Sequence, residues 1–195
     1  MTGTEQRAEV GTDTGFSWRF TAPLFVGAAL NPTNTSMIAT ALIPIGIEFH
    51  EGPGATAILV AGLYLASAIA QPTMGRLADR FGPRRIFLAG IVIVIAAGLI
   101  GGLAPNLTTV LIARVLIGVG TSAGYPTAFV MIRQESERVG RPTPGSVLGG
   151  LAIAGQVTAA VGLPLGGLLV GTLGWRATLF INSPLALIAL VLLFK

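Results

Sequence analysis

Apolar residues come in long runs separated by short polar clusters, and the length of the runs is the signal. A hydrocarbon core about 30 Å thick takes about 20 helical residues at 1.5 Å rise each. Six runs reach that length: Ala22–Ile47, Ala55–Met74, Ile86–Ala104, Leu107–Ile132, Ser146–Thr172 and Ala177–Phe194. The pattern predicts an all-α polytopic membrane protein with six transmembrane helices, spans 1 to 6, joined by loops. The first 19 residues, MTGTEQRAEVGTDTGFSWR, are polar and lack the basic-then-apolar order of a cleaved signal peptide. They read as a mobile cytoplasmic tail (residues 1–19) ahead of a bundle over residues 20–195.

Composition narrows the chemistry. A chain that is 52% hydrophobic and 10% charged, with 27 Gly, is wrong for a water-soluble core. The absence of Cys excludes disulfides, thiolate metal sites and a Cys nucleophile, and a lone His50 cannot build a histidine metal site. No metal, cofactor or enzymatic activity is expected, since no Ser/His pair or metal cluster falls within a span. The net charge of +4 would suggest nucleic acid in a soluble protein, but here the basic residues lie between apolar runs, where they set orientation.

With the N-terminus cytoplasmic, ten basic residues fall inside (Arg7, Arg19, Arg76, Arg80, Arg84, Arg85, Arg133, Arg138, Arg141 and Lys195) and only Arg176 outside. The positive-inside rule selects that orientation, with both termini cytoplasmic in a plasma (inner) membrane. Glu48, His50 and Glu51 fall outside.

The inner segment between spans 2 and 3, GRLADRFGPRR, packs five charges into eleven residues. Its arginines anchor a cytoplasmic loop, while Gly75, Gly82 and Pro83 supply the chain breaks. Asp79 can attract a helix N-terminus, with Arg80 or Arg84 holding it in place.

Arg114 lies about seven residues into span 4, roughly 10 Å below the outer surface. A charge there costs on the order of 3 kcal/mol unless it snorkels or faces water. Its guanidinium therefore either reaches the outer headgroups or fixes polar groups of span 1. Span 1 carries NPTNTS, Asn31 to Ser36, at mid-membrane, where Pro32 removes a backbone donor. Asn31, Asn34 and Thr35 share one helical face, which suits either a cavity wall offering hydrogen bonds to a substrate or interhelical bonds to spans 4 and 5. Gln71, Tyr125 and Gln156 are further candidates for the same cavity.

None of the eight acidic residues falls in the middle of a span. A proton carrier needs a group that titrates within the membrane, and these spans offer no such carboxylate. Small-residue pairs such as Gly98/Gly102, Gly120/Gly124, Gly162/Gly166 and Gly167/Gly171 predict close helix packing.

Several of these stretches resemble motifs of the major facilitator superfamily. GRLADRFGPRR resembles its G-x-x-x-D-R-x-G-x-R-R signature, matched by Gly75, Asp79, Arg80, Gly82, Arg84 and Arg85. RVLIGVGTSAG resembles the R-x-x-x-G-x-G motif of proton-coupled members through Arg114, Gly118 and Gly120. GGLAIAGQVTAAVGLPLGG is similar to the antiporter motif at Gly149, Gly162, Gly166 and Gly167. It departs where Thr158 replaces the usual Gly and Leu163 the usual Pro, with Pro164 displaced by one. GWRATLFINSPLALIAL resembles the W-R-x-x-F-x-I-N-x-P opening of span 6 in multidrug exporters.

The resemblance implies a 3+3 inverted repeat, half of a twelve- or fourteen-span drug:proton antiporter. It makes GRLADRFGPRR a gating loop in which Asp79 locks the inner gate, partly against the C-terminal half. It places Arg114 in proton coupling, either by lowering the pKa of a nearby acid or by bonding span 1. Related exporters often carry an Asp in span 1, where this chain has Asn34 and Thr35. The implied partners are the lipid bilayer, a small lipophilic drug or metabolite, the proton, and a second six-span half. The chain closes at LVLLFK with no linker toward a seventh span, so truncation from a longer transporter is expected in preference to a homodimer. The alternative is an accessory or truncated six-span subunit without transport activity of its own.

Overall fold

The computed structural model of the chain describes residues 16–194, and every element in that stretch is helical. Most of the expected tail, residues 1–15, lies outside the described residues. The elements are α1 (Trp18–Phe49), α2 (Pro53–Phe81), α3 (Pro83–Gly102), α4 (Leu107–Thr121), α5 (Gly124–Val139), α6 (Gly145–Leu173), α7 (Arg176–Phe180) and α8 (Asn182–Leu193). All six apolar runs are helical, spans 4 and 6 each as a pair of helices. Five units are long and apolar enough to cross a bilayer, counting α4 with α5 and α7 with α8. The exception, α1, has the length at 32 residues, but NPTNTS dilutes its hydropathy.

The expected loop between spans 2 and 3 is almost entirely helix. Hydropathy falls after Met74, but nothing in GRLADRF stops a helix, and α2 continues through Phe81. The corner is Gly82 alone, at φ 92°. Pro83 takes the first position of α3, where its missing N–H costs nothing, and disfavours helix in the residue before it.

Span 4 is interrupted at Ser122–Ala123, although both residues keep right-handed helical angles. Pro126 has no N–H to give the Ser122 carbonyl, so the ladder lapses there. The hydroxyls of Ser122 and Thr127 donate back to Gly118 O at 2.5 Å and Ala123 O at 2.6 Å, a pattern that bends helices. Pro184 stands in the same relation to Phe180, where α7 gives way to α8.

Central α1 packs on α6, α8, α2 and α5; α4 packs on both α2 and α3; and α3 also meets α8. The core divides into two apolar clusters. One, toward the end that carries the α2–α3 corner (the inner end in the expected orientation), includes Leu24, Phe87, Ile132 and Leu151; the other, toward the opposite, outer end, includes Ile45, Leu59, Val110 and Leu179. Small residues bring the backbones together, since lipid supplies no hydrophobic drive between helices. A Cβ on Gly118 would lie 2.7 Å from Leu63 O, and one on Gly124 would lie 2.6 Å from Gly27 O.

Candidate functional site

Between the two apolar clusters lies a polar layer built around NPTNTS. Asn31 donates through Nδ2 to Thr121 Oγ1 at 3.0 Å and Ser67 Oγ at 3.3 Å, joining α1 to α4 and α2. Ser67 and Thr121 pass their own hydrogens to the carbonyls of Gly118 and Ile117. One turn further along α1, Asn34 donates to Leu30 O at 3.0 Å and to the side-chain oxygen of Asn182 on α8. Asn182 donates in turn to Leu179 O at 2.9 Å. Asn34 and Asn182 are buried and Asn31 is half-buried. Asn34 thus joins helices rather than facing an open cavity, and its side-chain partner is on span 6, not on spans 4 or 5.

Arg114 does not reach for the surface. At 1% exposure it is among the largest fully buried side chains. Its Nε donates to Leu59 O and its Nη1 to the main-chain oxygen of Asn34, each at 3.4 Å, so one guanidinium ties α4 to α2 and α1. Nη2 is buried and has no hydrogen-bond partner among the described residues. Both bonds are long and end on neutral carbonyls. A buried guanidinium so poorly compensated is a liability for stability alone.

The other candidates are dispersed. Thr35 is half-buried and returns its hydroxyl to Asn31 O at 3.0 Å. Gln71 and Gln156 are exposed, on α2 and α6. Tyr125 is half-buried at the start of α5, where a Cβ on Gly155 would meet its hydroxyl. In the glycine motif of α6, Gly162 and Gly166 press on α1, within 3.1 Å of Thr33 O and 2.9 Å of Met37 O for an added Cβ. Gly149 and Gly167 face open space, as does Gly171, so Gly167/Gly171 is no interface among the described residues. The reason is rotational: one residue turns the helix by about 100°, and Gly167 points away from the face that Gly166 presents. Pro164 is exposed within α6.

At the inner end, Asp79 is exposed near the end of α2 and makes no hydrogen bond or ion pair among the described residues. It does not cap α3, whose N-cap is Gly82 without a side-chain bond. Gly75 lies within α2, where an added Cβ would be in ordinary contact with Pro126. Arg80 is 5.3 Å from the Phe81 ring centroid. Arg84 donates to Leu193 O at 3.2 Å and lies 5.5 Å from the Phe194 ring centroid, fastening the corner to the end of α8. Arg85 is exposed.

The outer end holds a cluster the sequence did not single out. Glu48, just past the expected end of span 1, accepts from Trp175 Nε1 and Arg176 Nη1, both at 2.5 Å. Arg176 Nη2 also donates to Ala104 O at 2.9 Å, so spans 1, 3 and 6 are clasped together. The bonds from Arg176 and Trp175 hold the Glu48 carboxyl below its ordinary pKa. The cue lay in the quoted WR of GWRATLF, which needed an acidic partner from another span.

A six-run helical bundle with a charged 2–3 corner and a buried Arg on span 4 is the fold of a polytopic membrane protein. Residues 24–195 match the Major Facilitator Superfamily, and the chain belongs to that family. It is 36% identical over 166 residues to the uncharacterized MFS-type transporter YwoD of Bacillus subtilis, covering 85% of this chain and 36% of that protein. It is 32% identical over 180 residues to the Tetracenomycin C resistance and export protein of Streptomyces glaucescens, covering 91% and 32%. It is 35% identical over 147 residues to the Multidrug resistance protein B homolog of Mycobacterium tuberculosis, covering 74% and 26%. The chain spans about a third of the length of the curated relatives it matches. It is a multi-pass membrane protein of a transporter family, not of an enzyme family.

Proposed function

We propose that this bundle is one half of an alternating-access transporter that exports small lipophilic drugs or metabolites in exchange for protons. The observation that carries the reading is similarity, across 91% of the chain, to a protein named for resistance and export. The gating residues are Gly75, Asp79, Arg80, Gly82, Arg84 and Arg85. The inner ends face the cytoplasm, with both termini there, in the plasma membrane; the distribution of arginines supports this.

The half is an inverted repeat of spans 1–3 and 4–6. Exchanging span 1 with 4, 2 with 5 and 3 with 6 converts the α1–α6 contact into α4–α2, and α1–α8 into α4–α3. These are among the most extensive pairings of the bundle, which supports the reading. A second six-span half, in the same polypeptide or another copy, covers the polar positions Gln71 and Gln156, which would cost several kcal/mol each if left unpaired in hydrocarbon.

Arg114 is the coupling residue. Its unpartnered Nη2 supports this, because a buried cation with a free donor favours ionisation of any carboxylate brought near it. The carboxylate belongs to the other half, since no acidic residue lies within these spans. The test is accumulation of a fluorescent drug in cells with and without the protein, before and after a protonophore collapses the proton gradient. Lower accumulation that the protonophore reverses is expected; equal accumulation in both cell lines would overturn the export reading.

A further inference from the structure

At the inner end a groove of about 630 Å³ opens between the start of α1, the α2–α3 corner and the end of α5. Phe20, Leu88 and Met131 line it with apolar surface, and Arg84, Arg85 and Arg138 line it with charge, against one acidic residue, Glu135. The three arginines are not equally available. Arg138 is committed to Glu135 by two bonds of 2.8 Å and 2.5 Å. Arg84 spends one nitrogen on Leu193 O, and Arg85 has no hydrogen bond or ion pair among the described residues. The groove therefore keeps a net positive charge over an apolar lining.

The geometry points to an anionic phospholipid as the occupant, its phosphate between Arg84 and Arg85 and the top of its acyl chains on Phe20, Leu88 and Met131. Two features select a lipid over a soluble anion. The groove sits where helices leave the hydrocarbon, since α2 runs past its apolar stretch into the charged corner. Its lining also offers apolar surface that a free phosphate could not use. Planar guanidinium groups suit a phosphate, and each basic side chain at such a surface strengthens binding of an anionic headgroup about fivefold. The site would let anionic lipid hold the 2–3 corner against α1 and α5, on the face where Arg84 also fastens α8.

The inference rests on the proposed membrane placement of the inner end but not on transport, so binding is the readout. The full protein is placed in nanodiscs of phosphatidylcholine containing a minor fraction of phosphatidylglycerol, and retained lipids are identified by native mass spectrometry. Both faces are present in a nanodisc, so the result does not depend on orientation, which thiol labelling of Arg141→Cys in intact cells reads separately. Wild type should retain phosphatidylglycerol in preference to phosphatidylcholine. The double variant Arg84→Gln, Arg85→Gln should lose that preference by roughly 25-fold, at about fivefold per arginine. Arg76→Gln, an exposed arginine outside the groove, should keep it. An equal loss in Arg76→Gln would reduce the effect to surface charge and overturn the site. So would displacement by inorganic phosphate, which would identify a soluble anion, or absence of any preference in wild type. If the double variant unfolds, Leu88→Asp tests the apolar side of the groove, and unchanged retention there would equally reject the lipid.

Discussion

Gly90 on α3 and Gly120 on α4 lie backbone to backbone: a Cβ on Gly90 would be 2.6 Å from Gly120 O, and one on Gly120 would be 2.7 Å from Gly90 O. Neither approach can be relieved by turning a side chain, because the obstacle is main chain on both sides. Gly120→Ala should therefore destabilise the bundle by about 1–3 kcal/mol, the usual cost of overpacking. Gly167→Ala, which meets open space, should be neutral or slightly stabilising through helix propensity. Thermal unfolding in mild detergent compares them, and equal melting temperatures would contradict the close packing.

If Arg114 couples transport as proposed, replacing it should separate stability from function. Its guanidinium is buried with two long bonds and one unclaimed nitrogen, so replacing it with a hydrophobic residue removes a poorly compensated charge. Arg114→Met should fold and insert with stability within about 1 kcal/mol of wild type or above it. Drug efflux by the whole transporter should nonetheless disappear. Arg114→Lys should also fail, because an ammonium cannot serve Leu59 O and Asn34 O with the same planar fork. Normal efflux from either variant would remove Arg114 from the coupling scheme.

Asn34 and Asn182 form a buried amide pair between α1 and α8. In Asn182→Leu, the Asn34 amide keeps Leu30 O but loses the one side-chain partner it has among the described residues, at a cost of about 1–3 kcal/mol. Asn34→Leu should cost about as much, since it leaves the Asn182 side-chain oxygen without its donor. Chemical denaturation of the two variants provides the comparison, and wild-type stability in both would show that the pair is not needed.

The apolar runs made the helices legible, because span length and hydropathy follow directly from bilayer thickness. What they could not reveal was where helices continue through polar sequence. Hydropathy stops at Met74, yet α2 persists to Phe81, because charge ends burial without ending a helix. The polar core of α1 was visible in NPTNTS, but not its partners: Ser67 and Thr121 carry no local signature, and Asn182, although it stands in the span 6 motif, gives no cue that it meets span 1. Gly166 and Gly167 looked alike in the motif, and only helix rotation distinguishes the packed one from the open one.

Asp79 offers a contrast with its neighbours. It is exposed and has no partner within the described bundle, so Asp79→Asn should leave expression, melting temperature and topology unchanged. If it gates against a second half, exchange between inward- and outward-facing states should slow, which distance measurements by electron spin resonance would detect. Unaltered exchange in the whole transporter would leave Asp79 as an ordinary surface residue.

The outer clasp should respond to acid in a direction set by its charges. Arg176 and Trp175 bond the ionised form of Glu48, and this lowers the pKa of the folded protein's carboxyl. A depressed folded pKa means that the stabilisation is fully present above the ordinary glutamate value, about 4.3, and is lost as pH falls through the lower folded value. Glu48 is largely solvent-exposed, so the contribution to stability is small, and a spectroscopic readout is better than a melting curve. The chain has two Trp, and Trp18→Phe leaves Trp175 as the sole reporter, with its indole N–H on Glu48. Its emission should be flat from neutral pH down to about 5 and change only below about 4.3. Arg176→Gln removes the leading cause of the depression, so the transition should move to higher pH. A wild-type transition centred above 4.3, or one that Arg176→Gln does not move, would mean that Glu48 and Arg176 are not paired in the membrane-embedded protein.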